Sequence, residues 1–372
     1  MPSLLEQSVH KAVPKFTATS VDLFCGGGGF TSGLMKAAKR ARQRMDHVAV
    51  NHWGLAIETH RQNHPETRHF CQRVDAIRPE TLFPGGIIDV LLASPECRYF
   101  SIARGAKPID DQLRASPWHV IPWLEAVHVR RLKMENVPEF ENWGPLKEKL
   151  DSRGRPVLDE KTGLPVMIPD PAKRGETFRA WVAAVEAIGY RVEFRKLCAA
   201  DYGDATTRER FFLQAEKDGR RITWPTASHT PDTYRTARSI IDWDVPGTLV
   251  RGRKKPVADA TLARIDVGMR KFCQRTLQPF LVKYYRTGTA VSVDHPLDTV
   301  TTHGRFGLVQ PVKNGGRTDF LLRMLSAREQ QRAMGFDESY RFAGPEKDQI
   351  KQIGNAVPVG LATAVCADGL VA

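Results

Sequence analysis

From residue 19 onward the hydrophobic positions gather into short runs separated by longer amphipathic stretches. The runs at 19–24, 47–50, 87–92 and 131–134 have strand length, and 30–43, 54–63 and 117–127 repeat apolar residues at helical spacing. Alternation of that kind predicts a mostly parallel sheet flanked by helices. At 151–172 the rhythm breaks into DSRGRPVLDEKTGLPVMIPDPA, whose Pro and Gly punctuation reads as a hairpin-like insertion. A helix at 175–188 and a strand at 190–198 resume it. Between about 220 and 320 the chain turns irregular, rich in Pro, Gly, Thr and basic residues and poor in long periodic helices. Ser326–Met334 predicts a helix opened by a serine cap, with Glu329 at its third position. Gly354–Ala367 predicts a turn and an apolar helix. The expected fold class is α/β: a Rossmann-like, mostly parallel sheet domain from 19–220 plus 321–372, a smaller irregular domain at 221–320 and a flexible arm at 1–18.

A chain of 372 residues has room for one large α/β domain and a smaller one, and 41% hydrophobic residues supply an ordinary core. Apolar runs no longer than about six residues exclude a membrane-spanning helix, and residues 1–18 are too polar for a secretory signal. Six scattered cysteines without a CxxC pair point to a reducing cytoplasm, with neither a disulfide framework nor structural zinc. The net charge of +13 changes the picture more, because such an excess favours a polyanionic partner, most simply nucleic acid. A basic protein charged for solubility is the alternative. The basic residues concentrate at Lys36–Arg44, Arg208–Arg210, Arg251–Lys255 and Arg264–Arg275.

Candidate chemistry sits at the predicted strand ends, where open α/β folds hold their ligands. The first strand runs into Phe24-Cys25-Gly26-Gly27-Gly28-Gly29-Phe30, a loop that permits close backbone approach before a helix N-terminus. Its glycine spacing is not that of a dinucleotide loop, which disfavours an oxidoreductase. The second strand ends at Asn51-His52-Trp53, where an adenosine ligand finds ribose contacts and Trp53 offers a flat face to adenine or a filler to the core. Asp75 is expected at the end of a third strand, able to accept from an adenine amino group. Ile87–Leu92 leads to Ser94-Pro95-Glu96-Cys97, and the strand through Met134 leads to Glu135-Asn136-Val137. A thiol, a carboxylic acid and a ligand loop at successive strand ends suggest covalent catalysis.

These residues resemble the cytosine-C5 DNA methyltransferase family, over most of the chain and in the family's order. Asp22–Gly29 looks like its S-adenosylmethionine loop, Pro95-Glu96-Cys97 with Phe100-Ser101 like its nucleophile loop, and Glu135-Asn136-Val137 like its acid element. Tyr202–Arg210 is similar to its Gln-x-Arg-x-Arg segment, Arg323–Glu329 with Gly335-Phe336 to its late helix, and Gly354–Pro358 to its last motif. The resemblance implies S-adenosyl-L-methionine as cofactor, double-stranded DNA as partner and a monomer without a membrane anchor or metal. It places the cofactor against Asp22, Phe24, Cys25, Gly26, Gly27, Gly28, Phe30, His52, Trp53, Asp75, Ala76, Pro95, Asn355 and Ala356. DNA contacts are expected from Ser101, Arg104, Arg251, Arg253, Lys254, Arg270, Thr301, Thr302 and Arg305, the later ones in a target-recognition domain at 221–320.

The implied chemistry suits the residue types. C5 of cytosine is a poor nucleophile until a thiolate adds at C6, and Cys97 is expected to supply it. Glu135 would protonate N3 and contact the N4 amino group, Arg208 would hold the O2 carbonyl with Arg210 nearby, and Asn136 would buttress the loop. The target base must leave the duplex before the thiol can reach it. Three positions depart from the family pattern: Glu96 replaces a second proline, His52 an acidic ribose ligand and Thr206 a glutamine. The same chemistry on tRNA and a catalytically silent DNA-binding regulator are the alternative functions.

Overall fold

The computed structural model describes residues 17–96, 114–160, 162–274, 276–284, 288–367 and 370. The elements run β1 (Thr17–Leu23), α1 (Gly29–Arg40), β2 (Arg44–Val50), α2 (Gly54–Asn63), β3 (Arg68–Phe70), α3 (Pro79–Leu82), β4 (Ile87–Ile88), β5 (Val90–Ala93), α4 (Ile121–Ala126), β6 (His128–Val129) and β7 (Arg131–Asn136). There follow β8 (Leu146–Glu148), β9 (Met167–Pro169), α5 (Glu176–Ala187), β10 (Arg191–Cys198), β11 (Glu209–Glu216), β12 (Thr248–Leu249), α6 (Asp259–Phe272), β13 (Phe280–Lys283) and β14 (Ala290–Ser292). The chain ends with β15 (Phe306–Asn314), β16 (Arg317–Met324), α7 (Ala327–Ala333), α8 (Glu346–Asn355) and α9 (Val359–Ala367).

The central sheet has the order β10-β11-β7-β5-β1-β2-β3, with β7, β5, β1, β2 and β3 parallel and β11 and β10 antiparallel at one edge. It is the expected α/β sheet, and period two explains its two cores. Val21, Leu23, Leu91 and Ala93 face Trp123, Leu124, Phe140 and Trp181, while Val90 and Leu92 face Phe30, Leu34, Leu361 and Val365. The run expected as one strand at 87–92 is split at Asp89. Its carboxylate accepts from Thr19 and pairs with Arg130 2.5 Å away, so β4 joins β6 instead of continuing as β5.

The region read as irregular carries a second, antiparallel sheet of order β12-β16-β15-β13-β14, and α6 packs against it. A Cβ on Gly268 of α6 would lie 2.1 Å from the Phe280 ring, so only glycine permits this approach. The β15–β16 hairpin turns through Asn314-Gly315-Gly316-Arg317, with φ of 54° and 79° at the two glycines. β16 continues through position 321, where the sequence reading returns to the first domain. The insertion expected at 151–172 is a β8–β9 hairpin that begins earlier, at Leu146, and none of its described residues is buried.

α7 has the expected cap: Ser326 accepts from Glu329 N, and the Glu329 carboxylate accepts from Ser326 N at 2.7 Å. Asp204 accepts from Gly360 N and Leu361 N, both at 2.9 Å, and so caps α9. α9 lies along α1 closely enough that a Cβ on Gly33 would meet Ala362 at 2.4 Å. Among the described residues, no helix is long and apolar enough to cross a membrane.

Candidate active site

Three neighbouring parallel strands deliver the candidate residues to one edge of the sheet. Leu23 pairs with Ala93 and Ala93 with Met134, so the loops after β1, β5 and β7 leave side by side. The glycine loop is shaped by more than a ligand. Phe24 has φ 62°, Gly26 φ 52° and Gly28 φ 85°, and the loop closes with Gly28 N donating to Cys25 O. A Cβ on Gly28 would stand 2.4 Å from the Tyr340 hydroxyl, and one on Gly29 would stand 2.3 Å from Val357 O. Tyr340 also donates to Gly27 O at 2.7 Å. Those glycines are imposed by the chain's own C-terminal elements, whereas Gly26 meets nothing nearer than 3.9 Å. Cys25 is buried, and burial holds its thiol well above the ordinary range.

Glu135 is buried at the end of β7. Loss of hydration pushes its carboxyl up, and the charges of Arg210 and Arg208 pull it back in part. Register explains the neighbours: Phe212 of β11 pairs with Glu135, so Arg210 projects from the same face of the strand, and Arg208 immediately precedes β11. Arg210 Nε lies 3.1 Å from Glu135 Oε1. Arg208, expected at the O2 carbonyl of the base, instead donates to Val300 O and Gly354 O. Lying one residue before β11, it joins the segment between β14 and β15 to the last turn of α8. Arg210 is therefore the guanidinium at the acid.

Asn136 Nδ2 donates to Pro95 O at 3.2 Å, and Asn136 Oδ1 accepts from Val137 N at 2.9 Å. The loop is thus tied to β7 two residues before Cys97. Cys97, Ser101 and Arg104 lie outside the described residues. Trp53 is half-buried with the Lys351 ammonium 4.3 Å from its ring centre. His52 is exposed and its Nε2 lies 3.8 Å from Glu96 Oε1. Asp75 is not at a strand end: β3 stops at Phe70, and Asp75 sits with Ala76 in a 3-10 turn, its carboxylate 2.7 Å from Arg73 Nη2. Phe30 is core, and Ala356 is buried beside exposed Asn355.

A model of C-5 cytosine-specific DNA methylases matches residues 18–144 and 170–368. The chain belongs to the C-5 cytosine-specific DNA methylase family. It is 25% identical over 384 residues to the Type II methylase M.HgiDII of Herpetosiphon aurantiacus, covering 93% of each chain. It is 25% identical over 364 residues to the Type II methyltransferase M.NgoPII of Neisseria gonorrhoeae, covering 93% of this chain and 94% of that one. The crystal structure of a Spodoptera frugiperda DNMT2 mutant superposes with a TM-score of 0.58 at 18% identity, over 93% of this chain and 97% of that one, and shows a shared fold. The family match leaves out 145–169, the β8–β9 hairpin.

Beneath the glycine loop of this DNA methylase lies a polar network that the sequence reading missed. Thr31 Oγ1 contacts Asp22 Oδ2 at 2.7 Å and the Nε2 atoms of His47 and His60 at 3.0 Å. One hydroxyl donates once and accepts twice, so Thr31 donates to Asp22 and each imidazole carries its proton on Nε2. His47 Nδ1 then accepts from Ser20, and His60 Nδ1 accepts from His69 Nε2 at 2.8 Å. Asp22, His47 and His60 present ligand-type atoms within 4.8 Å of one another, but Thr31 stands at their centre and the distances are those of hydrogen bonds. Burial holds His47 down to about 3 and His64 to about 4, keeps His60 well below its ordinary value and raises Asp22 to about 7. His47, His60, His64 and His69, four of the five histidines in residues 47–69, were the signal, visible only once β2, α2 and β3 were aligned.

On the second sheet, Arg251 and Lys254 are exposed, whereas Arg253 donates to the carbonyls of Thr248, Leu249 and Leu322. Arg270 pairs with Asp266 at 2.6 Å, and exposed Arg305 donates to Tyr284 O. Thr301 donates to His303 O, and Thr302 Oγ1 lies 3.2 Å from His303 Nδ1. Thr301 also backs onto Gly354, where a Cβ would come within 2.3 Å of its carbonyl.

Proposed function

We propose that this DNA cytosine-5 methyltransferase takes its methyl group from S-adenosylmethionine and places it on a cytosine extruded from duplex DNA, through a transient bond between Cys97 and C6. The observation that carries the reading is the Asn136–Pro95 hydrogen bond, which ties the chain leading to Cys97 to the strand that bears Glu135. The residues present fit the donor. Asp22 Oδ1 is buried without a partner among the described residues, a Cβ on Gly26 would meet nothing nearer than 3.9 Å, and Trp53 is only half-buried. The edge formed by Phe24, Gly26, Trp53, Pro95 and Asn355 would hold it, with Asp75 and Ala76 toward the adenine. Once bound, S-adenosylmethionine supplies an electrophilic methyl group on a sulfonium centre.

The chain's own groups do the rest. The Cys97 thiolate adds to C6, and the electron pair moves through the ring toward N3. Glu135, raised by burial, delivers a proton there and accepts from the N4 amino group, which selects cytosine over thymine. Arg210 holds Glu135 in place and is the guanidinium available to O2. After methylation, loss of the C5 proton to a base, departure of the Cys97 thiolate and return of the N3 proton to Glu135 restore the ring. A target-recognition domain built on the second sheet would bind the duplex, with Arg251 and Lys254 on phosphates.

The test is trapping. Incubated with S-adenosylmethionine and a duplex in which 5-fluorocytosine replaces the target cytosine, the unaltered chain should form a denaturant-resistant adduct, because fluorine cannot leave as a proton does. Cys97→Ser should form none while still retarding the duplex. Bisulfite sequencing of DNA from expressing cells then reads the target. An adduct formed equally well by Cys97→Ser would end the covalent mechanism.

A further inference from the structure

An adenosine ligand in a sheet of this topology sets its ribose at the end of β2, where its two hydroxyls donate to a carboxylate. β2 ends here at Val50, and the three residues that follow, Asn51, His52 and Trp53, bring no carboxylate. The Asn51 Oδ1 atom is already engaged by Trp53 N at 2.8 Å. A carboxylate does reach this place from another loop. Glu96, three residues beyond the end of β5, lies with Oε1 3.8 Å from His52 Nε2. Both side chains are about half exposed, at 48% and 55%, and therefore open to a ligand. Asp75 does not compete for the role, since Arg73 binds it through both Nε and Nη2.

We propose that Glu96 is the ribose-binding carboxylate of this enzyme, supplied by the nucleophile loop and oriented by His52 across the gap between the two loops. The inference rests on S-adenosylmethionine as donor. It gives Glu96 a task of its own, and turns its charge toward the β2 loop. It also links the two substrates, because the residue whose carboxylate engages the ribose is the immediate neighbour of Cys97 in the chain.

Equilibrium binding by calorimetry, without DNA or turnover, tests it with two probes: S-adenosylhomocysteine and its 2′,3′-dideoxyribose analogue. The unaltered chain should prefer the parent by about 10-fold, as expected for a hydrogen bond to a partly exposed charged group. Glu96→Gln should bind the parent about 10-fold more weakly and the dideoxy analogue unchanged. Adding His52→Glu to Glu96→Gln should return the preference, because the carboxylate then approaches the same spot from the other loop. Equal loss of both ligands in Glu96→Gln, no loss of either, or a swap that leaves the preference lost would overturn the proposal. Failure of the unaltered chain to bind either probe would overturn the donor reading itself.

Discussion

The two sheets of this protein treat charge in opposite ways. At the edge of the parallel sheet, polar groups are buried and aimed at one another: Glu135 at Arg210, Asn136 at Pro95, Thr31 at Asp22, His47 and His60. On the antiparallel sheet the basic residues stand at the surface, and several serve the protein's own backbone. Arg253 is spent on three carbonyls and Arg264 on those of Gly288 and Ala260. A net charge of +13 therefore does not identify the cations a nucleic acid would meet. Strand order identifies the acid and its partners; only local geometry separates a free cation from an occupied one.

The contrast is broken most severely at Glu135. Glu135→Gln keeps the shape and removes the proton, so methyl transfer should fall by about 10³-fold while duplex affinity changes little. Steady-state kinetics with tritiated donor, beside gel retardation, measures both. A loss of affinity as large as the loss of rate would put Glu135 in binding rather than chemistry.

Arg208 tests how the two sheets are joined. Its guanidinium donates to Val300 O and Gly354 O in a buried setting, so Arg208→Met leaves those carbonyls without that donor. Stability should fall by roughly 3 kcal/mol, read from urea unfolding. Arg210→Met should cost less stability and more rate, because its partner is the acid.

Much of the parallel-sheet edge was legible in the sequence, because buried parallel strands are near-continuous apolar runs and their ends are marked by Asp22, Ser94 and Glu135. The antiparallel sheet was not. Its strands are as short as two or three residues at β12 and β14, and β16 reads Arg-Thr-Asp-Phe-Leu-Leu-Arg-Met without a period-two pattern, so no long apolar run marks them. Asn314-Gly315-Gly316 was a hairpin signal left unread. The division of labour between Arg208 and Arg210 needed the register of β11 against β7, which no residue type announces. The histidine network depends on strands pairing across intervening helices, so composition could not show which rings would be buried together.

The network predicts acid sensitivity of a definite sign. His47, His60 and His64 are held far below their ordinary value near 6.5, so between about pH 6.5 and 5 the unfolded chain takes up protons that the native one refuses. Their contribution is complete above pH 6.5 and is lost as pH falls. Asp22 and Asp204 work against it, since each holds a proton in the native state up to about 7 that the unfolded chain has already released. His69 is lowered as well, so the histidines outnumber the two aspartates and the net effect is stability lost as pH falls through that window. His64→Gln removes one member and should make the slope shallower, as urea midpoints at several pH values would reveal. A slope that steepens in that variant would contradict the assignment.

The smallest effect sharpens the contrast at the surface. If Arg251 and Lys254 each neutralise a phosphate, the double substitution Arg251→Ala, Lys254→Ala should lower the slope of log affinity against log salt by about two, and weaken binding several-fold at low salt. Arg253→Ala, two residues away in sequence from the first and adjacent to the second, should leave that slope unchanged, because its guanidinium is committed to Thr248, Leu249 and Leu322. It should instead destabilise the antiparallel sheet by about 1 kcal/mol. Fluorescence anisotropy with a labelled duplex over a salt series separates the two outcomes. Equal salt slopes for the two variants would mean that exposure at Arg251 and Lys254 does not mark the DNA-facing surface.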